Sequence, residues 1–233
     1  MIPLRDDNPS ELRPIVSITM IVACVVVFLW ELGLDAAALQ HAFLSLGAVP
    51  ALLTGDARLE AGLARMPVWA TVLTSMFLHG SWLHLGGNML YLWIFGDNVE
   101  DAFGHLRFAI FYVVCGVAAV TAQVLPEPQS QVPMVGASGA ISGVLGAYLL
   151  LYPRARVLVA IPLGWYLDVR HLPALLVLIL WFVIQLVSSL PGDGQVGIAF
   201  RAHIGGFVAG LVLAPFLRRQ GVALFRHTRL ERP

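Results

Sequence analysis

The chain has 233 residues, 58% of them hydrophobic and only 12% charged, where a soluble domain carries about 45–50% and about 25%. Mean hydropathy is +0.81 and formal net charge is zero. One soluble core cannot hide that much apolar surface. This excludes a soluble enzyme, a disordered chain and a nucleic-acid binder, and leaves a polytopic membrane protein.

Residues 1–14 are polar and read as a cytoplasmic N-terminal segment. The apolar run at 15–34 is too long for a signal-peptide core and lacks a small-x-small site close behind it, so it is expected to stay as the first span. Five more candidate spans follow, at 81–95 with an apolar lead-in from 67, and at 106–125, 133–152, 172–190 and 196–217. About 20 apolar residues cross roughly 30 Å of hydrocarbon. The runs are apolar all round and lack the two-residue alternation of a barrel, so the expected fold class is all-α, a polytopic bundle of six transmembrane helices at 15–217. The long loop at 35–66, with its apolar stretch at 48–53, is expected to be partly helical in the outer interface, and 157–167 is expected to do the same on the inner side. Residues 218–233 form an Arg-rich cytoplasmic tail.

All fourteen basic residues are arginine. With a cytoplasmic N-terminus, Arg5, Arg13, Arg107, Arg154, Arg156, Arg170, Arg218, Arg219, Arg226, Arg229 and Arg232 lie inside, and only Arg58, Arg65 and Arg201 outside. The positive-inside rule therefore puts both termini in the cytoplasm. Cys24 and Cys115 fall inside apolar runs and read as small buried residues, with no disulfide or metal role.

Polar side chains inside a span are costly and mark function by default. The second span carries His79, His84 and Asn88, the fourth Gly136, Ser138, Gly139, Ser142 and Gly143, and the sixth Arg201, His203, Gly206 and Gly210. All three spans enter from the outside under this topology. Counting 1.5 Å per residue puts Asn88, Ser138 and His203 in one layer, roughly 7–11 Å below the outer surface. Gly139 and Gly143 form one small-residue ridge, and Gly206 and Gly210 another, which lets spans four and six approach closely. That approach would bring the His203 imidazole to the Ser138 hydroxyl as general base to nucleophile. With no acid available in this layer to orient the imidazole, the pair is expected to act as a dyad, not a triad. His84 and Asn88 share one helix face and can donate hydrogen bonds to an oxyanion, together with backbone N–H groups where a helix opens at Ser138.

Gly136-x-Ser138-Gly139, His84-x-x-x-Asn88 and Ala202-His203-x-x-Gly205-Gly206, in this order on six spans, resemble the rhomboid intramembrane serine proteases. The resemblance covers 15–217. It implies Ser138 as nucleophile and His203 as base, with His84, Asn88 and the Ser138 N–H as oxyanion hole and His79 as a supporting residue. It implies peptide hydrolysis in or near transmembrane segments of single-span or multi-span substrates in the lipid bilayer, without cofactor, metal or nucleic acid. The site would face the extracytoplasmic side. The Lys-free usage points further to a GC-rich bacterium, hence an inner membrane. Two positions depart from the family pattern. The first loop has no Trp-Arg, and Ser142 stands where some members stack a Tyr on the base.

Other polar residues have plainer expected roles. Ser142 would bond to its own backbone. Glu100 and Asp101 would cap helices or pair with Arg. His41, His105, His171 and His227 are read as surface residues. Arg201, two residues before His203, would raise the cost of protonating it. Two other functions compete: a catalytically inactive client-binding relative, and a membrane transporter using His79, His84 and His203 for metal or protons. The absence of a HExxH motif and of an inverted repeat weighs against the second.

Overall fold

The computed structural model describes residues 1–60, 62–189 and 199–226. In chain order these form β1 (Ile2–Asp6), α1 (Ile15–Glu31), α2 (Ala36–Leu46), α3 (Pro50–Thr54), α4 (Thr71–Thr74), α5 (Trp82–Phe103), α6 (His105–Val124), α7 (Ser138–Leu151), β2 (Arg156–Leu163), β3 (Tyr166–Pro173), α8 (Ala174–Ser188) and α9 (Phe200–Leu217). Short 3-10 turns at Val68–Ala70 and Ser75–Phe77 flank α4.

The central helix is α7, in which every residue from Ala140 to Leu149 is buried. It packs on α5, α6 and α9. Around it, the outer faces of α1, α6, α8 and α9 expose large apolar side chains, among them Val26, Leu106, Ile110, Leu180, Ile184, Val212 and Phe216. A soluble protein would bury such a ring, whereas a helix facing lipid has no reason to.

A helix occupies each expected span. By length and composition alone, α6 and α9 can cross a membrane. The apolar helices α1, α7 and α8 are shorter, at 17, 14 and 15 residues. α5 has 22 residues but carries Asp97, Glu100 and Asp101 near its end. The expected span limits Leu190 and Val196, and His227, Arg229 and Arg232 of the tail, lie outside the described residues.

The loop at 35–66 is partly helical through α2 and α3, as its apolar pattern suggested. The 157–167 segment is corrected. It belongs to a hairpin of β2 and β3, paired from Arg156↔Pro173 to Leu163↔Tyr166. Alternation decides this: Val157 and Val159 are buried on one face, and Gly164 turns the chain at φ +66°, as a two-residue hairpin loop requires. β1 joins the antiparallel sheet on β2, with Ile2 opposite Ala160 and Asp6 opposite Val157. The chain is therefore mostly helical, not all-α.

Two acids of α5 tie down the N-terminal part of the chain. No side chain of its own caps α1. Glu100 does so from α5, accepting from the N–H groups of Val16 and Ser17 at 2.8 Å each and from the Ser17 hydroxyl at 2.8 Å. A carboxylate at a helix N-terminus satisfies orphan donors and meets the positive end of the dipole. Asp101 accepts from the Glu11 and Leu12 N–H groups and pairs with Arg219 at 2.8 Å. The cap and the Arg pair expected of these two acids are both present.

Candidate active site

Ser138 is the first residue of α7, and the residues before it are not helical. Met134 bridges to Ala48, and the Gly136 N–H donates to the Ser75 carbonyl at 2.8 Å. The depth count from sequence assumed a helical rise there. Extended chain rises about 3.3 Å per residue, so the fourth span reaches Ser138 with fewer turns than expected. Gly136 sets the bend at φ +118°, a backbone region that favours glycine.

Glycine brings α7 and α9 together. A Cβ on Gly206 would lie 2.0 Å from the Gly139 carbonyl oxygen, and one on Gly210 2.0 Å from that of Gly143. The two ridges read from sequence interlock, and Gly146, which went unremarked, extends the contact against Phe207. At this distance His203 Nε2 stands 2.8 Å from Ser138 Oγ. Both residues are half-buried.

His84 and Asn88 approach from α5. A Cβ on Gly136 would sit 2.6 Å from His84 Nε2 and 3.7 Å from Asn88 Nδ2, so both side chains converge on the chain just before Ser138. The Asn88 amide donates to the His84 carbonyl at 3.1 Å. As the helix opens at Ser138, its first N–H groups have no carbonyl one turn back to bond.

His79 is buried beneath this cluster, 5.1 Å from the His84 ring centre to centre. Its Nδ1 faces the Phe77 carbonyl at 3.1 Å, and its backbone N–H donates to the Glu31 carboxylate at 3.2 and 3.3 Å. Glu31, buried near the end of α1, holds the His79 backbone, and among the described residues no hydrogen bond joins it to His203. It was hidden in sequence because it closes an apolar run.

Sequence reasoning also missed what holds the His203 ring. Gln185 of α8 places Oε1 2.8 Å from His203 Nδ1. Trp181, one turn earlier, is tilted against the imidazole with centroids 6.1 Å apart and planes at 38°. The only signal was a polar residue in an apolar run, four residues from a Trp. Ser142 donates to the Ser138 carbonyl at 2.6 Å, the backbone bond expected of it. Arg201 is ion-paired with Glu127, which offsets the positive charge set beside the base. Among the described residues no three His, Cys, Asp or Glu side chains gather as metal ligands.

A hydroxyl at a helix start, an imidazole in hydrogen-bond contact with it and a group of donors alongside can together activate a nucleophile and receive a developing oxyanion. The family model described as the Rhomboid domain matches residues 67–220. The chain is 34% identical over 143 residues to RHOMBOID-like protein 5 of Arabidopsis thaliana, covering 61% of this chain and 42% of that protein. It is 32% identical over 154 residues to Rhomboid protease GluP of Bacillus subtilis (strain 168), covering 66% and 28%. With Rhomboid-like protein 11, chloroplastic, of Arabidopsis thaliana it shares 29% over 161 residues, covering 66% and 54%. The matched part thus spans between about a quarter and about half of these relatives.

Proposed function

The chain belongs to the rhomboid family, and from that membership we propose that it is an intramembrane serine endopeptidase, cleaving peptide bonds in or near transmembrane segments of other membrane proteins. The observation that carries this is the 2.8 Å contact between Ser138 Oγ and His203 Nε2. In the proposed reaction His203 takes the hydroxyl proton as Ser138 attacks the scissile carbonyl. His84, Asn88 and the Ser138 N–H donate to the oxyanion. His203 then protonates the leaving amine, and water hydrolyses the acyl-enzyme by the same steps. Gly136, Gly139 and Gly206 have supporting roles as the turn and the close packing that this contact needs, and His79 supports His84.

A transmembrane helix locks each carbonyl into its own hydrogen bond, so the substrate must be extended at the cut. Substrates with helix-weakening Gly or Pro near the cleavage site are expected, with a small residue at the cleaved position. The proposed catalytic core is 15–217, read as six spans. Both termini are cytoplasmic and the site lies toward the extracytoplasmic side. The relatives come from a plant as well as a bacterium, so the proposal is an integral membrane protein and does not extend to a bacterial inner membrane.

The test is labelling by a fluorophosphonate probe in detergent, with cleavage of a panel of single-span proteins mapped by mass spectrometry. Wild type is expected to label and cut, and Ser138→Ala and His203→Ala to do neither. Binding of the panel without labelling or cutting would favour an inactive client-binding relative, and activity lost to a chelator would favour a metal-dependent protein.

A further inference from the structure

His203 has two ring nitrogens, and both are engaged. Nε2 faces Ser138 Oγ at 2.8 Å and Nδ1 faces Gln185 Oε1 at 2.8 Å. A neutral imidazole has one N–H donor and one bare acceptor. To take the serine proton Nε2 must be the acceptor, so the hydrogen must sit on Nδ1 and needs an acceptor of its own. The Gln185 amide oxygen is at the right distance.

The helix carrying Gln185 is built to hold the ring. Trp181 and Gln185 are four residues apart and share one face of α8. Trp181 is tilted against the imidazole, and the neighbouring Phe182 ring stacks on Phe207 of α9 with centroids 4.6 Å apart and planes at 26°. Phe207 is four residues after His203, so the aromatic contact fixes α8 against the part of α9 that bears the base. A carboxylate on Nδ1 would serve the same purpose, but a charge in this layer is costly to bury unless paired. An amide oxygen directs the hydrogen without that charge.

We propose that Gln185 is a positioning residue of the reaction, fixing the His203 tautomer as Nδ1–H, so that the working unit is Ser138–His203–Gln185. This rests on the peptidase function proposed above. The serine proton moves to Nε2 and later to the leaving amine, the Nδ1 hydrogen stays in its bond to Gln185, and the amide takes no proton.

The test compares Gln185→Leu, which keeps approximately the volume but loses the acceptor, with Gln185→Glu, which keeps an acceptor. Steady-state cleavage of a mapped substrate and fluorophosphonate labelling are each normalised to folded protein by gel filtration and thermal melting. Gln185→Leu is expected to lose roughly 10–100-fold in kcat with KM little changed, the scale on which partners that orient a histidine act, below the roughly 10²–10⁴-fold of the general base itself. Gln185→Glu, which keeps an acceptor for the Nδ1 hydrogen, is expected to retain more of the wild-type kcat than Gln185→Leu. In parallel, nitrogen NMR of 15N-histidine protein, with His203 assigned by its absence in His203→Gln, reads the tautomer directly. Ser138→Ala is expected to keep the hydrogen on Nδ1, and Ser138→Ala with Gln185→Leu to show a mixture. A purely structural role would be met by Leu and would leave the tautomer unmoved. Gln185→Leu with wild-type kcat, or an unchanged tautomer in the double variant, overturns this inference alone. A folded wild type that neither labels nor cuts overturns the peptidase function and this inference with it.

Discussion

The Gly139 carbonyl oxygen occupies the place where a Cβ on Gly206 would go, 2.0 Å from the ideal position. Neither partner can yield, because the obstacle is backbone. Gly206→Ala is therefore expected to push α9 off α7, and His203, one turn before Gly206, moves with it. Overpacking costs about 1–3 kcal/mol. The loss of activity should be larger, since misplacing a catalytic group by about 1 Å can cost on the order of a hundredfold. Gly86→Ala is the control: it sits in a helix with nothing within 4 Å of its new Cβ, and should be neutral or stabilise by about 0.5–1 kcal/mol. Melting temperature and probe labelling measure both. Equal behaviour of the two variants would contradict the account of close packing.

The interlock was legible because glycine spacing in an apolar run has few other uses, and because Ser138, His203, His84 and Asn88 are polar residues in spans that exclude them. The missed groups, Glu31 and Gln185, are also polar residues within apolar runs. Lying outside the three motif-bearing spans, they carry no motif of their own. Their partners, the His79 N–H and His203 Nδ1, are 48 and 18 residues away. The sheet failed for a different reason. Its strands follow a two-residue period in a chain otherwise read at the scale of whole spans, and β1 pairs with β2 across about 150 residues. No local pattern announces such a pairing.

Asn88 in the resting site spends its amide on the His84 carbonyl at 3.1 Å. If it turns to an oxyanion only as charge develops, Asn88→Ala removes a bond made in the transition state. The expected loss is about 10²–10³-fold in kcat with KM nearly unchanged. Folding should suffer little, because the bond lost in the ground state is to a carbonyl already in the helix. A variant that melts early or raises KM while keeping kcat would assign Asn88 to structure.

Glu100 is fully buried and accepts from Val16 N–H, Ser17 N–H and Ser17 Oγ, with His105 Nδ1 at 2.6 Å. Gln is nearly isosteric but offers one oxygen where the carboxylate offers two. Its NH₂ would face donors, leaving buried N–H groups unpaired at about 1–3 kcal/mol each. Glu100→Gln should lower the melting temperature by several degrees and loosen the start of α1, seen as faster amide exchange at Val16 and Ser17. Unchanged exchange there would mean that water or neighbouring backbone takes over the cap.

Asp6 makes the N-terminal strand sensitive to pH. Burial raises its carboxyl from the usual 3.8 to about 7, the nearby charges of Asp97 and Asp7 push the same way, and the Tyr148 hydroxyl, donating at 2.5 Å, pulls against them. The sign follows from proton counts. Between about pH 4 and about pH 7 the folded chain holds a proton that the unfolded chain has released, so stability falls as pH rises through this window. The contribution is full below about pH 4 and absent above about pH 7, and over that span it is on the order of a few kcal/mol. Because Asp6 ends β1, the first consequence is local: β1 should release from β2 more often at about pH 8 than at about pH 5. Amide exchange at Val157–Ala160, corrected for its intrinsic pH dependence, should report the opening. Asp6→Asn, neutral at every pH, should flatten the profile while keeping the strand docked. A profile equally steep in Asp6→Asn would rule out Asp6 as the titrating group.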